Sequence, residues 1–233
     1  MKGIRETFHH RLDQLSQDLV RIGSLVDEAI EQGMRALTTR DLTLARQVIT
    51  NDRVINAMRY QVEEQAYALL ATQQPMARDL RQIVAAISIA TNMERMGDHA
   101  AGIAQLAIRI GEAPLVKPPN DLLHMAEAAR RMFRQSLDAY LAGDPVLARS
   151  VVDQDDELDL LHRQVLEELI HVMVEDPSTV TSATYLLWVA HNLERLGDRT
   201  TNICERIIYV ATGELADLDA SYDELETGSV HDD

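Results

Sequence analysis

Asn92-Met93-Glu94-Arg95-Met96-Gly97-Asp98 returns one hundred residues later as Asn192-Leu193-Glu194-Arg195-Leu196-Gly197-Asp198. Five of the seven positions are identical, and the other two exchange Met for Leu. Both copies lie inside long apolar-periodic stretches, so both are expected on helices. Side chains four apart on a helix share a face, one turn apart. Glu94 with Asp98, and Glu194 with Asp198, are therefore stacked carboxylate pairs. Like charges so placed repel by about 0.2–0.5 kcal/mol even on an exposed helix. A bound cation would offset that repulsion; so would the intervening Arg95 and Arg195. Glycine inside a helix costs ~1 kcal/mol relative to alanine. Gly97 and Gly197 thus point to something that must come close beside each pair.

The helical stretch preceding each motif carries a second set of oxygen donors. Asp52 and Asn56 are four apart in the first half, and Asp155 and Asp159 stand at the same places in the second, at an offset of 103. If these stretches pack antiparallel to the motif helices, Asp155 and Asp159 face Glu194 and Asp198, and Asp52 and Asn56 face Glu94 and Asp98. Four oxygen-bearing side chains on two rigid helices suit a hard-oxygen cation. Asn202, four beyond Asp198, extends the second face; its counterpart is Gly102. The plain alternative is a solvated acidic face with arginine ion pairs, which contributes little. Asn56 against Asp159 makes the second half the better metal candidate. His162, three beyond Asp159, would bring an imidazole near it.

Other residues carry less. Glu6 with His9 and Glu168 with His171 match the Glu-x-x-His spacing of di-iron bundles. They do not fall at equivalent places in the repeat and read as surface residues. His99 is expected on another face, and Trp188 and the methionines in the core. The single cysteine, Cys204, rules out an internal disulfide and has no histidine at a useful spacing, so it is not expected to act as a nucleophile. The chain contains no glycine-rich phosphate loop and no Gly-x-Ser-x-Gly elbow.

Composition narrows the classes. The 233 residues allow one large domain or two small ones, and 46% hydrophobic content can fill a core. Scarce glycine, proline and aromatic residues favour helices over strands. A net charge of -16 argues against nucleic acid, which needs a basic face, and against adsorption to an anionic membrane. No run approaches the ~20 apolar residues of a membrane span, and residues 1–20 lack the apolar core of a signal peptide. A cytoplasmic protein without direct membrane insertion is expected.

Six helical stretches must position these residues. They are expected at about 7–39, 41–71, 76–111, 120–142, 145–175 and 178–213, separated by turn signals. Asp41-Leu-Thr-Leu-Ala-Arg-Gln-Val aligns with Asp144-Pro-Val-Leu-Ala-Arg-Ser-Val, so the whole plan repeats. The expected fold is all-α: two tandem pseudo-symmetric three-helix bundles over 1–112 and 120–213, a linker at 113–119, and an acidic tail at 214–233.

The paired Glu-Arg-x-Gly-Asp motifs, the two helix triplets and the Asp-x-x-x-Asp of the second helix resemble the PhoU family. The segments Phe8-His-His-Arg-Leu-Asp-Gln-Leu15 and Met76-Ala-Arg-Asp-Leu-Arg-Gln-Ile83 fit as well, and the resemblance covers about residues 5–213. It implies a tandem three-helix-bundle fold, multinuclear iron or zinc bound by the acidic motifs, and homodimers or higher oligomers. It also implies negative regulation of the phosphate regulon, by linking a phosphate-specific ABC transporter to a sensor histidine kinase. The ligands it implies are Asp52, Glu94, Asp98, Asp155, Asp159, Glu194 and Asp198. Asn56 departs from it, because an amide oxygen brings no charge. Three readings stand at this point: a non-enzymatic metal-binding regulator, a metal-dependent oxidase-like enzyme on the same carboxylates, and a metal-free helical adaptor.

Overall fold

The computed structural model describes residues 2–111 and 116–214, with side chains from residue 6 onward. Among the described residues seven α-helices follow one another: α1 Lys2–Thr39, α2 Leu42–Gln73, α3 Ala77–Gly111, α4 Asn120–Ala142, α5 Pro145–Val152, α6 Asp155–Glu175 and α7 Val180–Thr212. A single 3-10 turn, Pro177–Thr179, precedes α7. The acidic tail from 215 onward and residues 112–115, which include the start of the linker, lie outside the described residues.

Local chemistry sets the boundaries. Asp41 caps α2 by accepting from the Leu44 N–H at 2.9 Å. Asp144, at the matched place in the second half, caps α5 by accepting from the Val146 and Leu147 N–H groups. Such caps satisfy donors that a helix start leaves open. Gly143 and Gly213 end α4 and α7 in the left-handed conformation that glycine adopts without strain.

Packing follows the apolar stripes. Leu12, Leu15, Leu19, Ile22, Val26, Ile30 and Leu37 of α1 are all buried. The helices α1, α2 and α3 pack on one another, as do α4 to α7, and α3 lies against α7 along the middle of the molecule. Alanines supply much of the buried face of α3, among them Ala86, Ala90, Ala100 and Ala104. Such short side chains let neighbouring backbones approach closely. The two triplets do not keep separate interiors. One main hydrophobic cluster joins Leu15 and Ile22 of α1, Met93 and Ile103 of α3, Phe133 of α4 and Leu193 and Ile203 of α7. At one side the halves are clasped by charge. Arg130 of α4 donates through Nε and Nη2 to the Asp27 carboxylate of α1 at 2.9 and 3.1 Å, and Arg134 adds a bond of 2.8 Å.

Two expectations need correction. The fifth stretch is not one helix but α5 and α6, broken at Asp153-Gln154. In an unbroken helix the Gln154 N–H would bond the Ser150 carbonyl, four back. Here the Gln154 side chain takes that carbonyl at 3.1 Å while also bonding Gln135 of α4 at 2.6 Å. The backbone N–H shifts to Val151, three back, and the turn tightens. The second correction concerns the core. Trp188 is 56% exposed because it sits beyond the buried stripe of α7, and Met76 is 80% exposed because it lies in the connection before α3.

Candidate metal centre

The helices α6 and α7 bring Asp155, Asp159, Glu194, Asp198 and Asn202 onto one open cleft of about 440 Å³, with Arg195 and Arg199 on its walls. The glycine of the motif permits this. A Cβ added at Gly197 would stand 2.6 Å from Asp155 Oδ1 and 2.5 Å from Leu158 Cδ2. The same construction recurs in the first half, where a Cβ at Gly97 would meet Asp52 Oδ1 at 2.9 Å and Ile55 Cδ1 at 3.1 Å. Each glycine therefore makes room for the first carboxylate of the neighbouring helix. Asn56 donates to Asp52 Oδ2 at 3.0 Å, so in the structure its amide hydrogens, not its oxygen, face the acid.

The acids pay electrostatically for this proximity. Burial, then the like charge of Asp98, raises Asp52 above the ordinary carboxylate range, against the Asn56 hydrogen bond. Glu94 is only 8% exposed. Burial and Asp98 raise it too, while Arg95 and Arg59 pull it down. Burial, Asp198 and Asp159 raise Glu194 against the attraction of Arg195. Two buried carboxylate oxygens, Asp52 Oδ1 and Glu194 Oε2, have no hydrogen-bond partner. A buried acceptor left in that state is costly.

Arginine partly takes the cation's role. Arg195 bonds Asp198 at 2.7 Å and stands 3.6 Å from Glu194; Arg95 does the same with Asp98 and Glu94 at 3.2 and 3.6 Å. Among the described residues, no three His, Cys, Asp or Glu side chains are drawn tightly enough together to hold an ion as they stand. The donors are nonetheless of the right class. Carboxylates converge, two of their oxygens accept no hydrogen bond, and the glycine cradles hold one acid of each set against the neighbouring backbone.

One neighbour is missing from the reading of spacing. His191, one turn before Glu194, places its Nδ1 3.5 Å from Glu194 Oε2. Helical spacing from Glu194 was the available signal. Burial, then the nearby His191, pushes His162 below the usual imidazole value, so the two histidines share the surface beside Asp159. In the first half, the place of His162 is held by Arg59, which bonds Glu63 at 2.7 Å and whose charge reaches Glu94. His99 turns to α7 instead, its Nδ1 3.0 Å from Asn192 Oδ1. Glu6, His9, Glu168 and His171 are exposed. Cys204 is buried and its thiol is pushed up to about 12 by burial first and Glu205 second, which makes it inert.

A family model of the PhoU domain matches the chain twice, over residues 19–107 and 122–207. The chain belongs to the PhoU family. The two PhoU matches contain the two carboxylate faces, one in each repeat. The chain is 37% identical over 215 residues to a phosphate-specific transport system accessory protein PhoU homolog of Clostridium acetobutylicum, covering 92% of this chain and 98% of that one. A PhoU homolog of the same description from Rhizobium meliloti is 35% identical and is covered to 98%, as is this chain. The crystal structure of the phosphate transport system regulatory protein PhoU from Streptococcus pneumoniae superposes with a TM-score of 0.85 at 32% identity, over 91% of this chain and all of that one. The helix triplets are thus the PhoU fold. No helix among the described residues is long and apolar enough to cross a membrane.

Proposed function

We propose that this protein is a cytoplasmic, non-enzymatic regulator of phosphate uptake that binds metal on its carboxylate faces. The observation that supports the metal reading is the pair of glycine cradles: at matched places each glycine lets one carboxylate of the neighbouring helix come close to its motif, and in each set one oxygen accepts no hydrogen bond. Asp155, Asp159, Glu194 and Asp198 would hold the ion in the second half. Asp52, Glu94 and Asp98, with Asn56 beside them, are the corresponding set. A bound iron or zinc would supply fixed positive charge there. It would relieve the repulsion that raises Glu194 and lock α6 against α7. Occupancy then stiffens a surface that partners can read.

The regulatory part rests on the relatives, which are named as accessory and regulatory proteins of phosphate transport. The protein would restrain the phosphate regulon by contacting the phosphate-specific ABC transporter and a sensor histidine kinase, as a homodimer or larger oligomer. Tagged protein should retain both partners from phosphate-replete cells.

Elemental analysis of purified protein tests the metal reading. Glu194→Ala with Asp198→Ala should lose bound iron or zinc relative to the parent while the far-ultraviolet circular dichroism stays helical. Unchanged metal content in that variant would remove the α6–α7 site. One observation favours a metal-free adaptor as the second reading: Arg195 already spans Glu194 and Asp198. Protein free of metal after growth in metal-replete medium would establish it.

A further inference from the structure

A cavity of about 490 Å³ opens between the two repeats and shares no residue with either carboxylate face. Its walls are α1, the first turns of α3 and the last turns of α4 and α7. Leu141, Ile207, Val210 and Ala211 give it an apolar side. The exposed Arg78 brings a positive charge, while Asp13 and Asp79 also line it, so an incoming carboxylate is favoured only beside the arginine. Arginine meets two helix ends here. Arg78 Nη2 lies 3.6 Å from where a Cβ of Gly143 would stand, and Arg81 Nη1 lies 3.4 Å from the corresponding point of Gly213. Arg81 Nη2 reaches the Val210 carbonyl only at 3.5 Å, and its buried Nε has no hydrogen-bond partner. Helix C-termini offer these guanidinium groups partial negative charge. Among the described residues, no carboxylate forms an ion pair with Arg78 or Arg81.

The chain supplies the missing charge at this spot. Residues 214–233 hold eight Asp and Glu and no Lys or Arg. They leave α7 at Gly213, whose φ of 84° turns the backbone out of the helix beside Arg81. Their first residues, Glu214-Leu215-Ala216-Asp217-Leu218-Asp219, mix acids with leucines. Five extended residues span at most about 18 Å. Leu218 therefore reaches the cavity that Val210 and Ala211 already wall.

We propose that residues 214–219 dock in cis across this cavity, with Asp217 and Asp219 on Arg78 and Arg81 and with Leu215 and Leu218 on Leu141 and Val210. The tail is then an autoinhibitory contact that closes the seam between the repeats to any other acidic segment. Exposed ion pairs are individually weak. The tether offsets this by holding the segment at roughly millimolar effective concentration.

A labelled synthetic peptide of residues 214–233, added to full-length protein, tests this by fluorescence anisotropy. The parent should bind it weakly, because its own tail competes. Leu215→Ser, Asp217→Asn, Leu218→Ser and Asp219→Asn together disable that tail without touching a helix. This variant should bind the peptide at least roughly tenfold more tightly than the parent. Salt at about 1 M, where the screening length is ~3 Å, should weaken the binding. Adding Arg78→Ala and Arg81→Ala to the same variant should abolish most of it while the circular dichroism stays helical. Arg78→Gln alone, at the exposed arginine, should weaken it in the same direction and guards against unfolding of the double change. Equal affinity of parent and tail variant overturns docking in cis, and so does absence of binding to both. Binding indifferent to Arg78 overturns the placement on the cavity. A parent whose affinity for the peptide rises on dilution assigns the tail to a second copy of the chain, which also overturns the contact in cis.

Discussion

Gly197→Ala puts the cradle to a quantitative test. A methyl group there would lie 2.5 Å from Leu158 Cδ2 and 2.6 Å from Asp155 Oδ1, far inside van der Waals contact. Leu158 is fully buried, and Asp155 starts α6 immediately after the tight turn at Gln154. Overpacking of this kind costs typically 1–3 kcal/mol. Alanine returns about 1 kcal/mol of helix propensity. The net expectation is a loss of roughly 1 kcal/mol, or a fall of about 2–4 °C in Tm for a chain of this size. Gly97→Ala is the matched control, since its nearest contacts are 2.9 and 3.1 Å. There strain and propensity should nearly cancel. Urea unfolding followed by circular dichroism gives both values, and Zn(II) titration adds a second readout. Gly197→Ala should weaken metal binding as Asp155 is pushed aside. If both variants gain the full propensity of about 1 kcal/mol and Gly197→Ala binds metal like the parent, the close approach of α6 to α7 is refuted.

Removing the Asp27 carboxylate should cost more than an ordinary surface change. Burial disfavours its charge, but the hydrogen bonds of Arg130 and Arg134 outweigh that and hold it below the ordinary range. Asp27→Ala should lose about 1.5–3 kcal/mol, the range for hydrogen bonds to charged groups, in urea unfolding at neutral pH. The deficit should shrink below the ordinary Asp value of 3.8, as protonation removes the same bond from the parent. The carboxylate faces should give the opposite pH trend. Asp52, Glu94 and Glu194 are raised, so the native state keeps protons that the unfolded chain releases. Their contribution is complete below the ordinary carboxylate values and is lost as pH rises through the raised ones. Metal-free protein should therefore lose stability across that window, measured as urea midpoints. Zn(II) at a hundred times its Kd should restore about 2.7 kcal/mol at neutral pH.

Much of this was legible in the chain because it is encoded locally. The i,i+4 spacing of Glu194 and Asp198 follows from helical geometry, and so does the alignment of Asp155 with Asp52. The Asp41 and Asp144 caps involve residues only two or three positions apart. Gly197 announced a close approach because a helix tolerates glycine at a cost. What approached it could not be read from spacing, since Asp155 and Leu158 reach Gly197 only through the packing of α6 on α7. At the break, Gln154 also bonds Gln135 of another helix, a partner that no local pattern signals. Trp188 looked like core because aromatic rings usually are, yet its position on α7 faces outward. Likewise Arg59 and His162 occupy matched places in the repeat, but only packing gives them their meaning. Helix periodicity assigns each side chain to a face; the angle and depth at which two helices meet decide which faces become neighbours, and charge at 3 to 4 Å acts on neighbours alone.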